Sequence, residues 1–129
     1  MKHDIITAGD VILLVDRFYE KIKADEMLGP IFNERIQNRW PGHLEIMYRF
    51  WKTVLLGEHS YLGSPFPPHA QLQVGHQHFL KWMELFVATV DELFTGEKAT
   101  EAKWRAAKMA EMFEIKVAHY KNNGSRNLV

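Results

Sequence analysis

The sequence predicts an all-α fold, and three observations lead to that prediction. Apolar residues recur at intervals of three and four in four separate stretches, which is the period of one helix face. No stretch shows the sustained alternation of apolar and polar residues that marks a half-buried strand. With 129 residues and 47% hydrophobic content, the chain has the size and composition of one globular domain, expected to cover residues 1–129.

The first helix is predicted to begin after Thr7, whose side chain can cap it together with Asp10 three residues on. Its apolar residues follow at helical spacing: Val11, Leu14, Val15, Phe18, Tyr19 and Ile22. The Gly-Pro pair at 29–30 is expected to end this region, since both residues interrupt helices. A short helical turn is then predicted at 31–32, followed by a polar, exposed segment over 33–39.

The second long helix is predicted over residues 40–57, where a glycine provides the stop. Proline suits the first turn of a helix because its missing N–H has no helical partner there, so Pro41 favours a helix start at this point. His43, Met47 and Trp51 follow at i, i+4 and i+8 and therefore share one helix face.

Two further helices are predicted in the second half of the chain. The third is expected to end near Gly96, and the fourth to start at Thr100 or in the loop before it and to close at Gly124. The apolar residues of the third helix are Phe79, Trp82, Met83, Phe86 and Val90. Those of the fourth are Ala106, Met109, Ala110, Phe113, Val117 and Tyr120. Four principal helices predict a compact helical domain.

The charges balance, with 16 Lys and Arg residues against 16 Asp and Glu residues and no long block of either sign. This argues against nucleic acid or an anionic membrane as the main partner, because both need a clustered basic face. The chain has no cysteine, which excludes disulfides and thiolate chemistry. A cytoplasmic location is expected, since no signal peptide pattern is evident and no run approaches the ~18 apolar residues of a membrane span.

Aromatic residues make up 12% of the chain, more bulk than a small helical bundle needs. Those at predicted inward positions are Phe18, Phe32, Trp51, Phe79, Trp82 and Phe86. Two interpretations stay open. The rings can form a core of large side chains, which is the commoner meaning of such a stripe, or line a flat apolar pocket for a planar ligand.

Two of the seven histidines have a context that indicates a functional role. His43 lies on the apolar face of the second helix, and His69 follows two prolines that restrict the backbone ahead of it. A neutral imidazole is a good ligand for haem iron, so the pair indicates a metal or haem site. A satisfied core histidine and an exposed loop histidine are the alternatives. The other five histidines are expected to be surface or satisfied residues.

Several short pieces, in this order and spacing, resemble the group III branch of the truncated haemoglobins, which are short bacterial globins with a two-over-two helical sandwich. They extend over nearly the whole chain. The pieces are F-Y-E-K-I at 18–22, L-G-P-I-F at 28–32, W-x-x-H at 40–43, F-W-x-x-x-L-x-G at 50–57, Y-x-G-x-P at 61–65, P-P-H at 67–69 and H-F-x-x-W-x-x-L-F at 78–86.

The resemblance implies haem b, iron protoporphyrin IX, as the cofactor, and a role for each matching position. His69 would be the proximal ligand of the haem iron, and Phe32 the corner phenylalanine that packs on the porphyrin. Tyr19, His43 and Trp82 would form the distal set that stabilises the ligand, with His43 also able to bind the iron when no gas is present. Further haem contacts are implied at Met47, Trp51 and Leu72.

The same resemblance implies reversible binding of O2, NO and CO, with a role in NO or reactive-oxygen chemistry rather than bulk oxygen transport. Turnover as an NO dioxygenase or on peroxide would need electrons from a separate reductase, because the chain carries no flavin or nicotinamide motif. A monomer is expected. The alternatives are a haem-based gas sensor or interaction module without turnover, and a haem-free bundle whose aromatic residues only form the core.

Overall fold

A computed structural model describes residues 2–58 and 74–123 of the chain, with side chains described as far as residue 119. In these ranges the chain forms five α-helices and one short 3-10 helix. They are α1 (Ala8–Ala24), α2 (Leu28–Ile36), the 3-10 helix (Gln37–Arg39), α3 (Trp40–Leu56), α4 (His76–Leu93) and α5 (Glu97–Asn123). This content confirms the predicted all-α class. None of these helices is both long enough and apolar enough to cross a membrane.

The long helices form two packed pairs. Helix α1 packs against α3, and α4 packs against α5. The first pair lies over the second through contacts of α1 with α4 and of α3 with α5, while α2 packs on α1. This is the two-over-two arrangement predicted above. The fully buried side chains between the layers include Leu14, Ile22, Leu55, Phe86 and Val90.

Helix α1 begins as the sequence predicts. The N–H of Asp10 donates to Oγ1 of Thr7 over 3.2 Å, and the N–H of Thr7 donates to Oδ2 of Asp10 over 3.0 Å. These reciprocal bonds satisfy donors that the first turn of a helix leaves without a partner. All six residues of the predicted apolar stripe are buried, so the helical period of the sequence does identify the face that packs into the core.

The prediction that Gly29 and Pro30 end a helical region is wrong. Helix α1 ends at Ala24, and both residues lie in the first turn of α2. Asp25 stabilises the start of α2. Its Oδ2 accepts hydrogen bonds from the N–H groups of Met27 at 3.0 Å and Leu28 at 2.9 Å. Proline is tolerated in a first turn as readily as after a helix end, so Gly-Pro alone does not distinguish the two cases.

Gly29 is required by a close approach between α1 and α2. A Cβ atom at this position would lie 2.5 Å from the carbonyl oxygen of Lys23, which is backbone and has little freedom to move. The prediction of an exposed segment over 33–39 also needs correction, since α2 continues to Ile36, whose side chain is buried. The remaining residues of that segment are exposed, as expected.

The boundaries of the later helices agree with the sequence. Helix α3 ends just before Gly57, which has a φ of 73° in the left-handed region that favours glycine. Helix α4 ends at Leu93, close to the predicted Gly96, and α5 begins at Glu97, in the loop ahead of Thr100. The predicted stop at Gly124 lies outside the described residues.

The start of α5 is capped by a residue from the opposite end of the chain. Oδ1 of Asp4 accepts from the N–H of Ala99 at 2.8 Å, and Oδ2 accepts from the N–H of Lys98 at 2.9 Å. Burial alone would raise the pKa of Asp4, but these donors and the N–H of Ile5 outweigh it and hold the pKa below its usual value. The carboxylate is therefore favoured in the folded state.

Asp4→Asn is expected to lower the free energy of unfolding by about 1 kcal/mol at pH 7, because an amide group offers one acceptor oxygen where the carboxylate uses two. The pKa of Asp4 is lowered by folding, so its contribution is present above the unfolded value and is lost as the pH falls through the folded value. The difference between wild type and variant should therefore shrink below about pH 4.

Urea unfolding followed by circular dichroism between pH 3 and 7 measures this effect. Glu34→Gln is the matched control, since Glu34 is an exposed carboxylate on α2 and should leave the stability within about 0.5 kcal/mol of wild type. An Asp4→Asn variant that is as stable as wild type at pH 7 would show that the cap contributes nothing.

Candidate functional site

An apolar cleft opens between the two helix pairs, with residues of α1 to α5 in its walls. The space that water-sized spheres can enter is ≈ 50 Å³, and all the empty space between the walls, the open mouth included, is ≈ 680 Å³. The lining side chains are mostly aromatic or aliphatic: Tyr19, Leu28, Phe32, Met47, Phe50, Trp51, Val74, His78, Phe79, Trp82, Met109, Ala110, Phe113 and Val117.

A phenol group lies at the buried side of this cleft. Tyr19 comes from α1, and only 4% of its surface is exposed. Burial raises the pKa of Tyr19 above its usual value, because the apolar surroundings disfavour a phenolate. The hydroxyl therefore keeps its proton at any physiological pH and is a hydrogen-bond donor on the cleft wall.

The Tyr19 ring packs edge to face with two neighbouring rings, those of Trp40 and His43, which also contact each other. The ring centroids of Tyr19 and His43 are 5.3 Å apart with an interplanar angle of 89°. Trp40 lies 5.8 Å from Tyr19 and 5.7 Å from His43. Edge-to-face contacts of this kind are favourable beyond the area they bury, so the three rings hold each other in a defined orientation.

Trp40 is fixed from the outside as well. Its indole N–H donates to Oδ1 of Asn33 over 3.2 Å. The ammonium group of Lys23 lies 4.7 Å from the centroid of the indole ring, within the range of a cation–π contact. Lys23 of α1 and Asn33 of α2 thus fix the orientation of Trp40, which in turn packs against Tyr19 and His43.

Another part of the cleft wall is built from stacked rings. Trp51 of α3 and Trp82 of α4 both line the cleft, and Phe86 lies between them and the core. Phe86 stacks on Trp51 at 5.2 Å and on Trp82 at 5.7 Å between centroids. The edge of Phe18 also meets the Trp82 ring, with centroids 5.3 Å apart. Phe86 therefore joins α3 to α4 where the wall of the cleft is formed.

Most of the site residues predicted from the sequence come together in this cleft. Tyr19, Phe32, Met47, Trp51 and Trp82 all line it. His43 is not among the lining side chains of the described residues; it is half-buried behind Tyr19, with its Nε2 atom sealed from solvent. The predicted residues His69 and Leu72 lie outside the described residues.

Several lining residues are not among the site residues predicted from the sequence. Phe79 is predicted as an inward ring that forms the core or lines a pocket, Phe113 only as part of an apolar helix face, and His78 as a surface or satisfied histidine; all three line the cleft. An apolar stripe marks a buried face but does not separate the part that meets a cavity from the part that meets another helix. His78 carried one usable signal, namely its position one helical turn before Trp82.

The lining fits a haem group. Haem presents a flat apolar face, and the cleft offers several aromatic rings together with Met47, whose flexible side chain adapts to irregular surfaces. Tyr19, Trp51 and Trp82 add a phenol hydroxyl and two indole N–H groups to the side chains of this lining.

Comparisons with known proteins agree with this structure. The family model described as bacterial-like globin matches residues 4–117. The chain is 32% identical over 124 residues to the group 3 truncated hemoglobin ctb of Campylobacter jejuni, covering 93% of this chain and 98% of that protein. It also resembles the crystal structure of the group III truncated hemoglobin from Campylobacter jejuni, with a TM-score of 0.81 and 33% identity over 96% of this chain and 99% of that one.

Globins bind small gas molecules through haem, and the aromatic cleft is where a haem fits in this chain. The matches cover nearly the whole sequence, from before α1 to far along α5. The chain therefore belongs to the bacterial-like globins, as a group III truncated haemoglobin.

Proposed function

We propose that this globin binds haem b in the aromatic cleft and uses it to bind O2, NO and CO reversibly. The observation that carries the proposal is the buried, protonated phenol of Tyr19 on the wall of a ring-lined cleft. An apolar cleft alone would suit many ligands. A permanent donor inside it suits a small ligand that accepts a hydrogen bond.

His69 is the residue proposed to hold the cofactor. It matches the proximal position of the family, and its imidazole would bind the iron. When bound, haem supplies an iron with one open position for a diatomic gas. Phe32, Met47 and Trp51 would hold the porphyrin by apolar contact, since all three are buried lining residues. Leu72 is proposed as a further contact from the segment that contains His69.

The distal donors would act on the gas. Tyr19 would donate from its hydroxyl, and Trp82, half-buried on α4, from its indole N–H. Hydrogen bonds are worth more in an apolar cleft than in water, because the local dielectric constant is low. His43 packs against the Tyr19 ring and would act as a third polar group of the set, either by orienting Tyr19 or by turning toward the iron.

Hydrogen-bond donors that hold O2 firmly at the haem would favour a reaction of the bound O2 over its transport. O2 held by two or more hydrogen bonds is released slowly, which suits reactions with NO or with reactive oxygen species better than oxygen transport. Because the sequence has no flavin or nicotinamide motif, electrons for such a reaction would come from a separate reductase.

Visible absorption spectra of the haem-loaded protein test the proposal. Wild type is expected to give a sharp Soret band and a histidine-type ferrous CO spectrum. His69→Ala should lose this spectrum and regain it when imidazole is added, because the free base replaces the missing ligand. His119→Ala is the matched control, since His119 is an exposed residue of α5 away from the cleft lining. A broad spectrum of free haem in all three proteins would refute the proposal.

A further inference from the structure

His78 lines the cleft, although the sequence predicts a surface or satisfied histidine at this position. It lies in the first turn of α4, is half-buried, and lines the cleft beside Phe79 and Val74. Trp82 follows one turn later on the same helix and also lines the cleft. The imidazole is thus a polar side chain of α4 in a mostly apolar wall.

A hydrogen bond to the backbone fixes which ring nitrogen carries the proton. The N–H of Gly75 donates to Nδ1 of His78 over 2.8 Å, and the N–H of His78 donates to the carbonyl of Gly75 over 3.0 Å. Because Nδ1 accepts, it carries no hydrogen, and the proton of the imidazole is on Nε2. Within the part of the chain that the structure describes, this Nε2–H makes no hydrogen bond.

Haem is apolar over its faces but carries two propionate carboxylates on one edge. The cleft wall supplies mostly apolar contact, whereas a carboxylate needs a directed donor when it leaves water. From the placement of His78 on the cleft wall and the locked Nδ1, we propose that its Nε2–H binds a propionate carboxylate of the cofactor. This inference rests on the proposed binding of haem and names a further contact for it.

Two roles of His78 must be separated, because the ring also caps α4. In a capping box, glutamate or glutamine at the third helical position accepts from the backbone N–H at the cap. His78→Gln therefore keeps the acceptor for Gly75 and retains an N–H donor. His78→Glu keeps the acceptor but replaces the donor with an anion that repels a carboxylate. The two variants share the cap and differ in the proposed contact.

The experiment measures the rate at which ferric haem passes from the globin to an excess of apomyoglobin. It is done for wild type, His78→Gln and His78→Glu, first with haem and then with haem dimethyl ester, in which both carboxylates are blocked. With haem, His78→Gln is expected to remain near wild type, and His78→Glu to lose haem about tenfold faster. With the ester, the three proteins should release the group at equal rates. Thermal unfolding of the three haem-free proteins checks that the cap is intact.

Other outcomes would overturn the proposal. Equal loss of free haem from His78→Glu and wild type would mean that no carboxylate lies at His78. If His78→Glu speeds the loss of haem dimethyl ester as much as it speeds the loss of haem, the substitution acts on the fold and not on a carboxylate of the cofactor. If wild type forms no defined complex with either haem or ester, the proposed haem binding fails too, whereas a failure confined to the His78 variants leaves it in place.

Discussion

Replacing Tyr19 with phenylalanine is expected to speed the release of O2 from the haem-loaded globin by roughly ten- to a hundredfold. The change removes one hydroxyl and keeps the ring that packs on Phe18 and His43. A hydrogen bond to a charged or strongly polarised partner contributes about 1.5–3 kcal/mol, and each 1.4 kcal/mol is about tenfold in a rate. The effect should be large because the donor is buried and stays protonated.

Stopped-flow or flash-photolysis rates for O2 and CO measure this prediction. CO accepts hydrogen bonds poorly, so its dissociation rate should change far less than that of O2. Tyr48→Phe is the matched control. Tyr48 of α3 donates to Oδ1 of Asp16, and burial together with this carboxylate raises its pKa to about 12. It does not line the cleft. An unchanged O2 dissociation rate in Tyr19→Phe would remove Tyr19 from the distal set.

Phe86→Ala is expected to lower the free energy of unfolding by about 3–5 kcal/mol, a large share of the ~5–15 kcal/mol of a typical domain. Phe86 is 1% exposed and lies in contact with Phe18, Trp51 and Trp82. Its removal would leave a cavity between α1, α3 and α4, and the three rings around it are too constrained to fill that space.

Urea unfolding of the haem-free protein measures the loss. Leu80→Ala is the control on the same helix, because Leu80 is 58% exposed and should change the stability by less than about 0.5 kcal/mol. If Phe86→Ala does not fold, Phe86→Leu should still fold with a loss of roughly 1–2 kcal/mol. A loss below about 1 kcal/mol in Phe86→Ala would contradict the role given to this ring.

The features that could be predicted from the sequence are mostly local. The cap at Thr7 and Asp10, the apolar face of α1 and the glycine at the end of α3 depend on residues a few positions apart. Their physics is contained within one or two turns of helix. The prediction at Gly29 and Pro30 is wrong because the same pair occurs at a helix start and after a helix end, and the close approach of Gly29 to Lys23 spans the turn between α1 and α2.

The polar contacts between distant parts of the chain could not be predicted. Asp4 bonds with Lys98 and Ala99, 94 and 95 positions away, and no local pattern marks it as a cap for α5. His78 is similar, since its place in the cleft depends on how α4 packs against α5. Such partners are set by tertiary packing, which residue spacing along one helix does not encode.

The cleft itself was predicted in part. Met47 and Trp51 share a helix face that points inward, and both line the cleft. His43 shares that face, but it lies about one turn, or ~5.4 Å, before Met47 along the axis. Its ring packs against Tyr19, and His43 is not among the described lining side chains. Periodicity gives the direction in which a side chain points but not the depth at which the cavity ends.

The column of rings formed by Trp51, Phe86 and Trp82 has a consequence for ligand affinity. The two tryptophans are held by contacts with Phe86 and Phe18, which belong to the protein core. Their rotamers are therefore ordered when the chain folds, and an occupant of the cleft does not have to order them again. Preorganised side chains of this kind cut the entropic cost of association by about 0.5–1.5 kcal/mol each. This wall of the cleft therefore favours tight binding through its rigidity as well as through its apolar area.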